Sequence, residues 1–149
     1  MTPINPDPLV MLVAEDNPAD VVFFTEALEE SQTCATVQVV NNGADALRYL
    51  RREQPFADFP PPDVMVLDLN LPLKNGKDVL REVAADPALH NMPVAILTTS
   101  TSERHVCHAY TPGRCRYFVK TDEFRKLQDI VREIVGFARE TKQPGQSAQ

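Results

Sequence analysis

Five short apolar or β-branched runs recur along the chain, each too short for a helix and each ending on a polar residue. Residues 9–14 run into Glu15-Asp16, 36–40 into Asn41-Asn42-Gly43, 64–67 into Asp68, 93–97 into Thr98, and 116–119 into Lys120. Such runs suit strands buried on both faces. Segments of helical period lie between them. Asn17 is a good N-cap, Pro18 fits the first helical position, and Val21, Phe24 and Leu28 continue an apolar stripe. Ala46, Leu47 and Leu50 mark a second helix, and residues 76–85 a third, with Val79, Leu80, Val83 and Ala84 on one face. Residues 102–110 are compatible with a short helix. The last helix carries Phe124, Leu127, Val131, Ile134 and Ala138 at a 3-4-3-4 spacing. A loop with Pro55, Pro60, Pro61 and Pro62 precedes the third strand.

Alternating strands and helices imply an α/β fold with a parallel sheet covered on both sides. Right-handed crossovers then leave few topologies, and five strands suit a flavodoxin-like (βα)5 fold in the order 2-1-3-4-5. The expected organisation is a flexible leader over 1–8, one domain over 9–140 and a disordered polar tail over 141–149. A length of 149 residues and a hydrophobic share of 43% fit one domain with a real core. The net charge of −6 argues against DNA binding through clustered Lys and Arg. No apolar run reaches a membrane span, and the N-terminus has no secretory pattern, so the expected location is the cytoplasm. Cys34, Cys107 and Cys115, without a C-x-x-C pair, read as free thiols there.

In a sheet of this order the site lies beyond the carboxyl ends of strands 1 and 3. Glu15, Asp16 and Asp68 should crowd together there, with Thr98 and Lys120 at the ends of strands 4 and 5. Two carboxylates ~4 Å apart repel by about 4 kcal/mol at an effective dielectric of 20. The site must therefore take up a proton or a cation, or hold the groups apart. Oxygen ligands without His or Cys suit a hard cation, Mg²⁺ most simply. A metal, the Lys120 ammonium, the Thr98 hydroxyl and one central carboxylate describe a phosphoryl-transfer site with Asp68 as nucleophile.

These residues carry a resemblance to the receiver domains of two-component response regulators, over about residues 9–138. Glu15-Asp16 resembles the family's acidic pair, and Asp68-Leu69-Asn70-Leu71-Pro72 with Gly76 its phosphoacceptor strand and loop. Leu97-Thr98-Thr99-Ser100 resembles the switch motif, and Tyr117-Phe118-Val119-Lys120 the aromatic-to-lysine strand. The motifs stand in order, 30 residues apart from Asp68 to Thr98 and 22 from Thr98 to Lys120. The resemblance implies a stand-alone regulator phosphorylated on Asp68 by a histidine kinase or phosphotransfer protein, with protein binding as its output and no output domain attached. It implies that Asp16 and Asp68 ligate Mg²⁺, that Glu15 acts through water and that Asn70 offers its backbone carbonyl. Thr98 and Lys120 would hold the phosphoryl group, and Tyr117 would change rotamer as Thr98 moves. Thr121 stands where most receivers have proline. That residue, the acceptor motif and the proline-containing loop are similar to the small regulators paired with bacterial phytochromes, which implies a phytochrome kinase as partner.

Two other functional classes use some of the same residues. A haloacid-dehalogenase-like phosphatase also has an Asp nucleophile and Mg²⁺, but it needs an acid where this chain has Asn70. A phosphate-independent interaction domain would not need the full set of acids, Thr98 and Lys120. His105, Cys107, His108 and Cys115 match no standard zinc spacing and read as an incidental surface cluster, with Cys115 structural. Ile130 and Phe137 flank the core stripe of the last helix. They read either as a wide core face or as a homodimer patch.

Overall fold

The computed structural model describes residues 8–142. Five strands, β1 (Leu9–Ala14), β2 (Ala35–Val40), β3 (Val64–Leu67), β4 (Val94–Thr98) and β5 (Cys115–Val119), form one sheet in the order β2-β1-β3-β4-β5. All four pairings are parallel. This is the flavodoxin-like order expected from the alternation of short strands and helices. The helices are α1 (Pro18–Glu30), α2 (Gly43–Leu50), α3 (Gly76–Ala85) and α4 (Phe124–Lys142). A six-residue 3-10 helix, Arg104–Ala109, replaces an α-helix in the β4–β5 crossover.

Side chains alternate across a strand, and here they divide the core in two. Leu12, Ala14, Met65, Leu67, Val94 and Ile96 face a cluster completed by α2 and α3. Met11, Val13, Val64, Val66, Ala95 and Leu97 face one completed by α1 and α4. The three central strands are thus buried on both sides, which is why they read as unbroken apolar runs.

Capping sets the helix starts. The Asn17 side chain accepts from the Ala19 and Asp20 amides, with Pro18 at the first helical position. Asn42 and Asn75 cap α2 and α3 in the same way through the Asp45 and Asp78 amides. Gly43 opens α2 beside the backbone of the β3–α3 loop, where a Cβ would stand 1.8 Å from the Lys74 carbonyl oxygen.

Three expectations need correction. Thr141 and Lys142 belong to α4 and not to a disordered tail. The Thr141 hydroxyl donates to the Phe137 and Ala138 carbonyls, and Arg139 and Lys142 suit the negative helix end. The leader before Pro8 and the tail after Lys142 lie outside the described residues. Cys107 and Cys115 are not free thiols: the 3-10 helix folds back on the start of β5, bringing their Cα atoms within 5.4 Å, and they form a disulfide. Cys34 is free and exposed. Phe137 is only 2% exposed, inside the α1–α4 cluster and beneath the Arg116 guanidinium, so it offers no surface to a second copy. Ile130 is partly buried against the same cluster, and the pair is a wide core face.

The proline-containing loop is more ordered than its composition suggests. Phe56 and Phe59 pack on Tyr49 at ring distances of 5.5 and 5.8 Å, and the Tyr49 hydroxyl donates to the Pro60 carbonyl at 2.9 Å. The Gln54–Pro55 peptide bond is cis.

Candidate functional site

Register alone brings the acids together. Ala14 and Leu67 are partners across β1 and β3, so the residues that follow them, Glu15 and Asp68, leave the sheet side by side. Their backbones are fixed there, because the Glu15 amide donates to Val40 and the Asp68 amide to Ala14. Lys120 arrives from the other edge by the same device, with its amide on the Thr98 carbonyl at 2.7 Å.

Glu15, Asp16 and Asp68 each present an oxygen within 4.8 Å of the others, the one cluster of potential metal ligands among the described residues. Glu15 is 7% and Asp68 5% exposed, whereas Asp16 is open to solvent. The Lys120 ammonium bonds Glu15 Oε1 at 2.7 Å, Asp20 Oδ2 at 2.8 Å and Asp68 Oδ2 at 3.0 Å. Burial alone would lower the affinity of Lys120 for its proton. Its bonds to Asp20, Glu15 and Asp68 outweigh that, so it is held above the usual ammonium range and stays charged. Burial pushes the Glu15 carboxyl up, opposed by its bonds to Lys120 and the Asn17 amide and reinforced by the Asp68 charge.

Other groups frame Asp68. Its Oδ1 accepts from the Asn70 amide at 3.1 Å, so the side chain is held on both oxygens. Gly76 lies against its backbone, where a Cβ would come within 2.3 Å of the Asp68 carbonyl oxygen. A side chain there would displace the loop that carries the acid. The Thr98 hydroxyl is fully buried and has no hydrogen-bond partner. An unpartnered buried hydroxyl costs about 1–3 kcal/mol, so this one would gain from a hydrogen-bonding group that enters the site. Tyr117, half-buried on β5, donates from its hydroxyl to the Ser100 carbonyl at 2.7 Å, and the Arg104 guanidinium lies 5.2 Å above its ring.

The donor set fits a hard divalent cation: three carboxylate oxygens converge, with no soft ligand among them. His105 and His108 join no such cluster, and the sulfurs of Cys107 and Cys115 are consumed by their disulfide. Of the residues singled out by sequence, Glu15, Asp16, Asp68 and Lys120 are brought together, Asn70 bonds Asp68 through its amide, and Thr98 and Tyr117 lie on the neighbouring strands β4 and β5. Sequence reading missed Asp20, whose place in the first turn of α1 has an ordinary explanation in the helix dipole. The available signal was its nearness to the strand end, four residues after Asp16 and in the first turn of α1.

A doubly wound five-stranded sheet with acids after β1 and β3, a hydroxyl ending β4 and a lysine after β5 is the architecture of a signal receiver. The response regulator receiver domain family matches residues 11–132, and the chain belongs to it. Response regulator Rcp1 of Synechocystis sp. is 34% identical over 134 residues, covering 90% of this chain and 91% of Rcp1. The phosphorylated cyanobacterial phytochrome response regulator RcpA superposes with a TM-score of 0.78 at 36% identity, over 91% of this chain and 96% of that one. The Mn²⁺-bound form of Rcp1 gives 0.75 at 32% identity, over 85% and 91%. Among the described residues no helix is long and apolar enough to cross a membrane.

Proposed function

We propose that this chain is a phosphoacceptor response regulator that takes a phosphoryl group on Asp68 from a histidine kinase or a phosphotransfer protein. The observation that carries this is the setting of Asp68, a buried carboxylate bonded to Lys120 and grouped with Glu15 and Asp16. An Asp68 oxygen attacks the phosphorus, the bond to the donor's leaving group breaks, and the leaving group departs with the electron pair. Lys120 and the unpartnered Thr98 hydroxyl are positioned to take up the phosphoryl oxygens and their charge.

Asp16 and Asp68, with Glu15 through water and the Asn70 carbonyl, would hold Mg²⁺. When bound, the ion neutralises charge on the transferred group. The similarity to RcpA and Rcp1 supports a phytochrome kinase as the donor, and the reading places the chain in the cytoplasm. Replacing the carboxylate of charge −1 by an acyl phosphate of about −2 would draw Thr98 toward the phosphoryl group and move Tyr117 and the Ser100 loop with it. Protein binding at that altered surface is the output.

The test is incubation with acetyl phosphate and Mg²⁺ followed by mass measurement. A phosphate-mass adduct should form on the native chain and be absent from Asp68→Asn. Absence of the adduct from a folded native chain refutes the reading. For the partner, phosphotransfer should be fastest from a phytochrome kinase when purified kinases are compared.

A further inference from the structure

The four carboxylates at the site form two overlapping sets. Glu15, Asp16 and Asp68 converge as potential metal ligands, whereas Glu15, Asp20 and Asp68 converge on Lys120. Asp20 belongs to the second set alone. A lysine ammonium has three N–H donors and no acceptor. All three donors of Lys120 are therefore engaged, one with each carboxylate. A phosphoryl group on or near Asp68 can gain a bond from Lys120 only if one of these is surrendered.

The three partners are not equivalent. Glu15 and Asp68 are buried at strand ends, while the Asp20 side chain is 39% exposed and comes from a separate element. Its platform is firm: Asn17 caps the turn that carries it, and Phe23, one turn on, packs against Phe124 of α4 at 5.6 Å. Asp20 and Lys120 also line an open cleft with Phe23, Thr99 and Asp122, so the contact is reached from solvent.

We propose that Asp20 is a positioning residue that holds one N–H of Lys120 at the rim of the site and thereby limits how readily the ammonium is given to an incoming phosphoryl group. This rests on the phosphoacceptor reading above. In the reaction with acetyl phosphate, Asp68 gains the phosphoryl group, acetate leaves with the bonding pair, and total charge is conserved. Lys120 transfers its bond from Asp68 Oδ2 to a phosphoryl oxygen while Asp20 keeps hold of another donor.

Asp20→Asn keeps the shape of the side chain and removes its hold on the ammonium. Phosphorylation by acetyl phosphate should accelerate by about three- to ten-fold. Asp122→Asn removes a carboxylate from the same cleft without touching Lys120 and should leave the rate near native. Asp20→Glu, which restores the charge, should return it toward native. An unchanged or slower rate in Asp20→Asn overturns the proposal, as does an equal acceleration in Asp122→Asn, which would make the effect one of bulk charge. The Lys120 side-chain nitrogen resonance, recorded without any phosphodonor, gives a second reading. It should shift in Asp20→Asn and not in Asp122→Asn, and a resonance indifferent to both overturns the contact. If the native chain takes no phosphoryl group, the phosphoacceptor reading fails by itself, and the resonance still judges the role of Asp20.

Discussion

The hydroxyl of Tyr117 is bonded to the carbonyl of Ser100, two residues beyond Thr98, so the end of β4 and the middle of β5 are joined outside the sheet ladder. Movement of the Thr98 loop must either carry the tyrosine along or break this bond.

Tyr117→Phe removes the bond and keeps the ring. Urea unfolding should show a loss of about 1 kcal/mol. The changes that acetyl phosphate induces in the Ser100 and Arg104 amide resonances should also differ between variant and native chain. Identical stability and identical resonance changes would show that the bond links nothing.

Phe137 closes the core between the sheet and α4. Phe137→Ala should cost about 3–5 kcal/mol, the usual range for a large core truncation. Phe137→Glu should unfold the chain and not yield a folded, lighter species in sedimentation. A folded Phe137→Glu of unchanged stability would contradict the burial of this side chain.

Tyr110 is buried, with its hydroxyl on the Met92 carbonyl at 2.6 Å. Burial pushes its phenol above the ordinary value near 10, against a smaller opposing effect of Arg114. A group raised in the folded state contributes stability that is complete below its unfolded value and is lost as pH climbs through the folded one. The native chain should therefore lose stability from about pH 10 upward more steeply than Tyr110→Phe, which lacks the ionising group. Chemical denaturation of both between pH 8 and 11 checks this, and parallel curves would refute it.

The Cys107–Cys115 bond spans a separation of 8 residues. Closing so short a loop stabilises by about 2.5 kcal/mol at most in the chain-entropy treatment. Dithiothreitol should lower the stability of the native chain by about 1–2.5 kcal/mol and have no effect on Cys107→Ser, which starts from the lower value. Equal stability of the native chain with and without reductant would show that the thiols are unpaired in solution.

Much of the sheet was legible because its central strands are buried on both faces, so that each begins and ends where apolar residues begin and end. The same clarity exposed Asp68 and Thr98, the polar positions where buried strands finish, while Lys120 follows the edge strand β5. Asp20 was hidden by a sufficient local cause, since an acid in the first turn of a helix needs no tertiary partner. Cys107 and Cys115 could not be paired on paper, because the fold-back of the 3-10 helix onto β5 is a property of the assembled crossover. Tyr49 lies on α2 and Phe56 and Phe59 among the prolines beyond it, and only their packing reveals an organised loop. Phe137 was ambiguous because it sits beside the apolar stripe of its helix, and the width of the buried face depends on how closely the sheet approaches.

The β4–β5 crossover is fastened unevenly. Its later half is tied down by the disulfide, by Tyr110 on Met92 and by Thr111 on His90. Its earlier half is held by the Tyr117–Ser100 bond, the Arg104–Tyr117 contact and the ion pair of Glu103 with Lys77, and the 3-10 helix buries none of its residues completely. A deformation begun at Thr98 therefore meets a lightly held end before a clamped one. It would spend itself in the stretch just after β4, like a flap stitched along one side.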